Sequence, residues 1–442
     1  INWKKTQFTL SSTGASPRDL RYAVKGPKGA STITLYNMHG LDIAPESVWL
    51  DAENHFFGVD MDWVAIVPEG YEAAIPAMQK VQNIAKKAYL DELGSKHIDH
   101  AANPIHVLGA KIFNPETGIL SAPSDVTIKN GIIIKVEPAQ QATLTDAYII
   151  DGKDQILMPS LTEMHGHWGD SQFLHLVSAG VTNMRDMGNS FGTLKRLQKQ
   201  LKSGELIGPD IYPMGFIDGK SKYSAPVGRL PEKIEEAKAM VDDYAGEGFT
   251  GIKLYSSLPI EWSSVLADYA ATKGMGTKGH IPSGMNAVDA IDAGFTEITH
   301  INMIMLNFLG ARELDTRTPV RFIVPGKLGH TIDPDGEEYG AFLDMMKTKG
   351  ISHDPTLSIF LDMFYAQPGT IIHSARPFAD HMPANAKRWL IQTPDFNEGF
   401  EADFKKSGKT AERMLKRMFD KGINIFPGTD NQYPGFTLIS EM

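Results

Sequence analysis

From residue 156 onwards, short apolar runs alternate with longer stretches in which apolar residues recur every three or four positions. No other feature narrows the fold as much. Parallel strands need a crossover of a dozen or more residues, usually a helix. Strand candidates are residues 156–161, 180–184, 211–215, 251–255, 276–280, 297–300, 351–357 and 423–427. Helical stretches at 231–247, 259–273, 287–293, 340–349 and 401–421 lie between them. Eight strands with intervening helices predict an α/β fold, a (β/α)8 TIM-type barrel, with its active site at the C-terminal ends of the strands.

Ahead of the barrel, residues 1 to about 75 read as short β segments broken by Gly, Pro, Asn and Asp, among them 31–36, 47–50 and 63–67. Residues 72–93 follow a helical period and read as a connector. Strands return at 105–113, 125–129, 132–136 and 148–151, with Asn130-Gly131 as a hairpin signal. This reads as a small antiparallel sheet, too small to stand alone. The expected organisation is an N-terminal β-rich segment with a connector helix (1–100), a small β-sandwich domain (101–157) and the barrel (158–442). The chain opens on Ile1 and stops at Met442 in what reads as a loop. Both ends therefore read as cut, the barrel as truncated, and the chain as exported (periplasmic or secreted), with the cytoplasm as the alternative.

Composition excludes several function classes. The 442 residues carry a net charge of −10, with no Lys/Arg cluster interleaved with aromatics, which argues against nucleic acid. No apolar run approaches the roughly 18 residues that span a bilayer. The absence of cysteine removes disulfides and thiolate-held zinc.

His165 and His167 stand two apart at the end of the first strand candidate. Side chains two apart on a strand point the same way, so both imidazoles can grip one metal ion. Lys253, His280, His300 and Asp430 follow at later strand ends. The intervals are 86 residues from His167 to Lys253, then 27, then 20. These fit whole β/α units. The 130 residues from His300 to Asp430 exceed two units, and the excess reads as long loops at 303–338 and 359–399, the kind that cover a substrate. Taken singly, each candidate has an ordinary reading. A histidine at a strand end, His353 included, is more often a hydrogen-bonded core residue. Lys253 could snorkel, and Asp430 could cap a turn. Six suitable residues at the strand ends of one barrel are what lift the signal.

These residues resemble the amidohydrolase superfamily: His165-x-His167, Lys253 in Gly251-Ile252-Lys253-Leu254-Tyr255, Gly279-His280, Glu297-Ile298-Thr299-His300 and Gly428-Thr429-Asp430. The resemblance is closest to its imidazolonepropionase- and prolidase-like branch, and residues 180–188 look like that branch's second strand. Three departures stand out: Pro159-Ser160-Leu161-Thr162-Glu163 before the histidine pair, where Pro-Gly-Leu-Ile-Asp is usual; the end of the chain soon after Asp430; and the long loops. The resemblance implies two divalent metal ions, zinc first. His165, His167 and Asp430 would bind one and His280 and His300 the other, with Lys253, carboxylated by CO2, as the bridge. It also implies hydrolysis of a C–N bond by a metal-bridging hydroxide, with Asp430 as general base and then acid. The substrate would be small: a dipeptide, an N-acyl amino acid or a cyclic amide. A lactone or phosphoester hydrolase, and a non-catalytic binding protein on a degenerate barrel, are the alternatives. Tyr255 could donate to an oxyanion or a substrate carboxylate, or simply pack at the rim. Arg312, Arg317, Arg321 and Arg376 could meet such a carboxylate. Arg185 and Asp186 are expected to pair as a salt bridge. His97, His100 and His106 read as exposed, and Met303-Ile304-Met305 as packing. A small-molecule substrate is the expected partner, with a homo-oligomer left open.

Overall fold

The computed structural model describes residues 9–11, 21–27, 29–39, 45–60, 65–97, 104–140, 146–225, 227–392, 396–431 and 433–442. The chain divides into two compact units, Ile1–Glu92 with Thr162–Met442, and Leu93–Leu161.

The first unit opens with β1 (Thr9–Ser11), β2 (Arg21–Gly26), β3 (Gly29–His39), β4 (Glu46–Leu50), β5 (Phe56–Asp60) and β6 (Ala65–Ile66). They form one antiparallel sheet in the order β1-β3-β4-β5-β6, with β2 also on β3. Ile33 and Leu35, two apart on β3, point to the same face. They are buried with Trp49 against Met78 and Ala85 of helix α1 (Ile75–His97). The start of the expected strand 63–67 and His100 lie outside the described residues.

The second unit holds β7 (Ile105–Asn114), β8 (Ile119–Lys129), β9 (Ile132–Pro138), β10 (Tyr148–Asp151) and β11 (Ile156–Leu157). Asn130 and Gly131 both take positive φ, 54° and 74°, which a type I′ turn requires, and Lys129 pairs with Ile132 across it. β10 and β11 add to β7 in parallel, so the sheet is mixed where an antiparallel one was expected. His106 on β7 is buried, contrary to its exposed reading; it pairs with the buried Thr127 on the face opposite to Val107 and Val126. His97, on α1, is exposed as expected.

The alternating region runs β12 (Leu161–Gly166), α2 (Asp170–Ser178), β13 (Val181–Asp186), α3 (Phe191–Ser203), β14 (Asp210–Ile217), α4 (Ile234–Gly246), β15 (Gly251–Leu254), α5 (Trp262–Thr272), β16 (Gly276–Gly279), α6 (Ala287–Asp292) and β17 (Glu297–Thr299). There follow α7 (Ile301–Asn307), α8 (Val320–Leu328), α9 (Glu337–Lys349), β18 (Ser352–Asp354), α10 (Leu357–Phe364), α11 (Ala384–Trp389), α12 (Glu401–Lys421) and α13 (Leu438–Glu441).

Strands β12 to β16 form one sheet in chain order, and β17 pairs in parallel with β18. The expected closed cylinder is therefore seen as two parallel arcs. Hydrogen bonds run between neighbouring segments: Thr296 N donates to Thr277 O at 2.9 Å, and Met164 N to Pro427 O at 3.1 Å. The expected eighth strand is reduced to a parallel bridge of Ile425 with His353. Pro427 has no N–H for a ladder, so a regular strand cannot continue through it. The first barrel strand begins at Leu161, because 156–157 are used as β11. The two expected long loops carry short helices, α7 and α8 in the first and α10 and α11 in the second, and Met303, Ile304 and Met305 are buried on α7.

Candidate metal centre

Each candidate side chain sits where a parallel strand gives way to a turn or helix. His165 lies inside β12 and His167 just beyond it. Lys253 is on β15, His280 follows β16, His300 follows β17, and Asp430 ends the turn after Ile425. All six are brought together. The His165 and His300 rings are 4.7 Å apart by centroid, and those of His280 and His300 are 4.5 Å apart. Lys253 Nζ lies 3.2 Å from His165 Nε2, and His167 Nε2 meets Asp430 Oδ1. Donor atoms of His165, His300 and Asp430 lie within 4.8 Å of one another, a spacing one metal ion can span. A cavity of about 890 Å³ opens onto His167, Lys253, Tyr255, His280 and Asp430.

The backbone at these positions is unusual. His300, Thr356 and Asp430 all have positive φ, at 67°, 45° and 51°. For residues other than glycine this costs on the order of 1–3 kcal/mol and persists only where the surroundings enforce it. The enforcement is visible. Glu163, fully buried, accepts from His165 N at 2.9 Å, Thr429 N at 2.8 Å and Thr429 Oγ1 at 2.9 Å, tying β12 to the Asp430 turn. Thr356 Oγ1 lies 2.8 Å from His300 Nδ1, and Ser256 Oγ 3.3 Å from His280 Nδ1.

Burial sets the electrostatics. It pushes His165, His280 and His300 well below the ordinary histidine value, helped by Lys253 beside His165 and by the neighbouring imidazoles. The three rings are therefore neutral near pH 7, the form that binds metal. Burial also brings the Lys253 ammonium down to about 8, with the Asp430 carboxylate opposing it. Burial alone would raise Asp430, but the surrounding histidines outweigh it and hold the carboxyl well below the usual range.

The other sequence candidates separate cleanly. Tyr255 follows β15 and lays its ring against His280, with centroids 4.0 Å apart. Of the four arginines, Arg312 pairs with Asp289 and Arg317 with Asp315, while Arg376 lines a different cavity beside α12. Arg321 alone of the four acts on the cluster: its charge lowers His280 and His300, and its Nε is buried without a protein partner among the described residues. His353 is not part of the cluster; its Nδ1 lies 2.8 Å from Ile298 O. The expected Arg185–Asp186 pair is not formed. Adjacent residues of a strand face opposite ways. Arg185 turns to Glu297 and Asp354, while Asp186 accepts from the backbone N–H groups of Gly188 and Asn189. Glu163 entered the sequence reading only as a departure from the family pattern, and Asp354, Thr356 and Ser256 did not enter it. Asp354 lies in the strand candidate 351–357, whose Ser-His-Asp run is polar, and gave no periodic signal.

No family model matches the chain, and no curated protein matches its sequence. Solved structures do. A putative prolidase from Bifidobacterium longum superposes with a TM-score of 0.55 at 18% identity, covering 77% of each chain. The fold is that of the amidohydrolases. Bottromycin amidohydrolase shares it at TM-score 0.51 and 18% identity, over 80% of this chain and 75% of that one. So does the ochratoxinase of A. niger, at TM-score 0.51 and 16% identity, over 78% and 79%.

Proposed function

We propose that the chain is a metal-dependent hydrolase of the amidohydrolase superfamily. It would cleave an amide or peptide-like C–N bond in a small substrate at the mouth of a (β/α)8 barrel. The observation that carries this reading is the convergence of His165, His167, His280, His300 and Asp430 around Lys253, with His167, Lys253, His280 and Asp430 lining one cavity. Nitrogen and oxygen donors of this kind suit zinc. His165, His167 and Asp430 would hold one ion and His280 and His300 a second. Bound metal supplies an acidified water and a polarised substrate carbonyl.

The chain's own groups supply the rest. The ionised Asp430 accepts a proton from the attacking water and returns it to the leaving nitrogen. Lys253, with its value near 8, is partly a free amine at neutral pH. Such an amine combines with CO2 to a carbamate, releasing one proton, and the resulting anion would bridge the two ions. Tyr255 lies against His280, and Arg321 acts on His280 through its charge; both would be available to a substrate carboxylate. That favours a dipeptide or N-acyl amino acid, which end in a carboxylate, over a cyclic amide. The prolidase-like neighbour supports the same choice.

Asp430→Asn tests the mechanism. The variant should keep much of its metal, read by elemental analysis, while turnover of dipeptides and N-acyl amino acids falls by about 10²–10⁴-fold. Unchanged turnover removes Asp430 from the chemistry. A metal-replete protein that cleaves lactones or aryl phosphates but no amide would overturn the C–N reading.

A further inference from the structure

β13 and β18 bring no side chain to the cluster of six, yet each places a charged residue directly behind it. Asp354 Oδ2 of β18 lies 2.8 Å from His165 Nδ1 and 3.0 Å from Arg185 Nη2 of β13. Arg185 is clamped to Glu297 by two hydrogen bonds of 2.7 Å, and its Nε donates to Met164 O at 2.7 Å, on the same strand as His165. Lys278 Nζ stands 3.5 Å from Glu297. Two cations therefore face two carboxyl groups, and His165 can donate to an ionised Asp354 while remaining uncharged. Asp354 also reaches the other metal-facing segments. Its carbonyl accepts from His300 N at 2.7 Å. Its Oδ1 lies 2.4 Å from where a β-carbon at Gly428 would sit, two residues before Asp430.

We propose that Asp354 is the positioning residue of the metal centre. Its carboxylate accepts the Nδ1–H of His165, fixes that tautomer and leaves the Nε2 lone pair aimed at Lys253 and the ion. Arg185, locked by Glu297, holds the carboxylate in place. The metal-facing part of this claim rests on the hydrolase reading above; the tautomer part does not. A carboxylate behind a metal-binding imidazole orients the ring and raises its basicity, and its removal typically costs 10–100-fold in metal affinity. A purely structural role would need no histidine, since Glu297 already satisfies the Arg185 fork.

The test uses the metal-free protein with ¹⁵N-labelled histidine, with the His165 ring signals assigned by their loss in His165→Gln. The native chain should show His165 protonated at Nδ1 only. Asp354→Asn should show a mixture of tautomers and a 10–100-fold loss of zinc affinity in chelator competition. Glu297→Gln disturbs the same buried network but keeps the Asp354 carboxylate beside His165, and should lower stability while shifting the tautomer and zinc affinity less than Asp354→Asn does. A native His165 carrying its proton on Nε2 overturns the proposal without any variant, as does Asp354→Asn with native tautomer and native affinity. Failure of the native chain to bind zinc overturns the hydrolase reading and the metal-facing role together. It leaves the tautomer readout to report separately on Asp354.

Discussion

At Gly428 a single hydrogen atom makes room for the centre. A β-carbon there would lie 2.6 Å from His165 Cβ and 2.8 Å from His165 N, as well as against Asp354. The turn that delivers Asp430 therefore passes flush against β12. Gly428→Ala should force the two apart, costing about 1–3 kcal/mol of stability as overpacking does. Zinc content should drop with it, and urea unfolding together with elemental analysis reads both. Normal zinc content at reduced stability would show that the turn carries Asp430 independently of β12. Gly428-Thr429-Asp430 was legible in the sequence as a motif. The reason for its glycine was not, because the atoms it avoids belong to residues 165 and 354.

At the level of elements, local chemistry predicted well and long-range pairing poorly. Asn130-Gly131 fixed its hairpin because two adjacent residues supply both left-handed conformations. The strand assigned to 156–161 failed because the same short apolar run can join either sheet, and β7 takes residues 156–157. Helix α10 shows a cap that no local pattern reveals: Glu441 accepts from Leu357 N at 2.8 Å and Ser358 N at 2.6 Å. Burial pushes this carboxyl up to about 7, against those two hydrogen bonds. The folded chain thus keeps a proton that the unfolded chain loses near 4.5. The stability this proton contributes is fully present below pH 4.5 and is lost as pH rises through 7. Between these limits the native chain should lose about 3 kcal/mol relative to Glu441→Gln, by denaturant unfolding across pH. A constant difference between the two would place Glu441 in solvent.

On the scale of the whole molecule, the six candidate residues come from five separate strand ends, so metal would tie the arcs to one another. Ligand that binds only the folded state stabilises it by about 4 kcal/mol at a concentration 1,000 times its Kd. Chelation should therefore lower Tm in the native chain and leave it unmoved in His165→Ala, as scanning calorimetry can check. Equal shifts in both would mean that metal binds elsewhere. Among the described residues no helix is long and apolar enough to cross a membrane.

The sequence alone determined the parallel α/β character and the identity of the six side chains at the strand ends. Both follow from periodicity and from residue type, which are local properties. Tertiary structure decided how those side chains are held. Asp354 behind His165 and Glu163 bracing Thr429 are contacts between positions 189 and 266 residues apart, and Arg321 is singled out from four arginines by its charge on His280 and His300. Such contacts depend on which strand lies beside which, and no spacing along the chain encodes that.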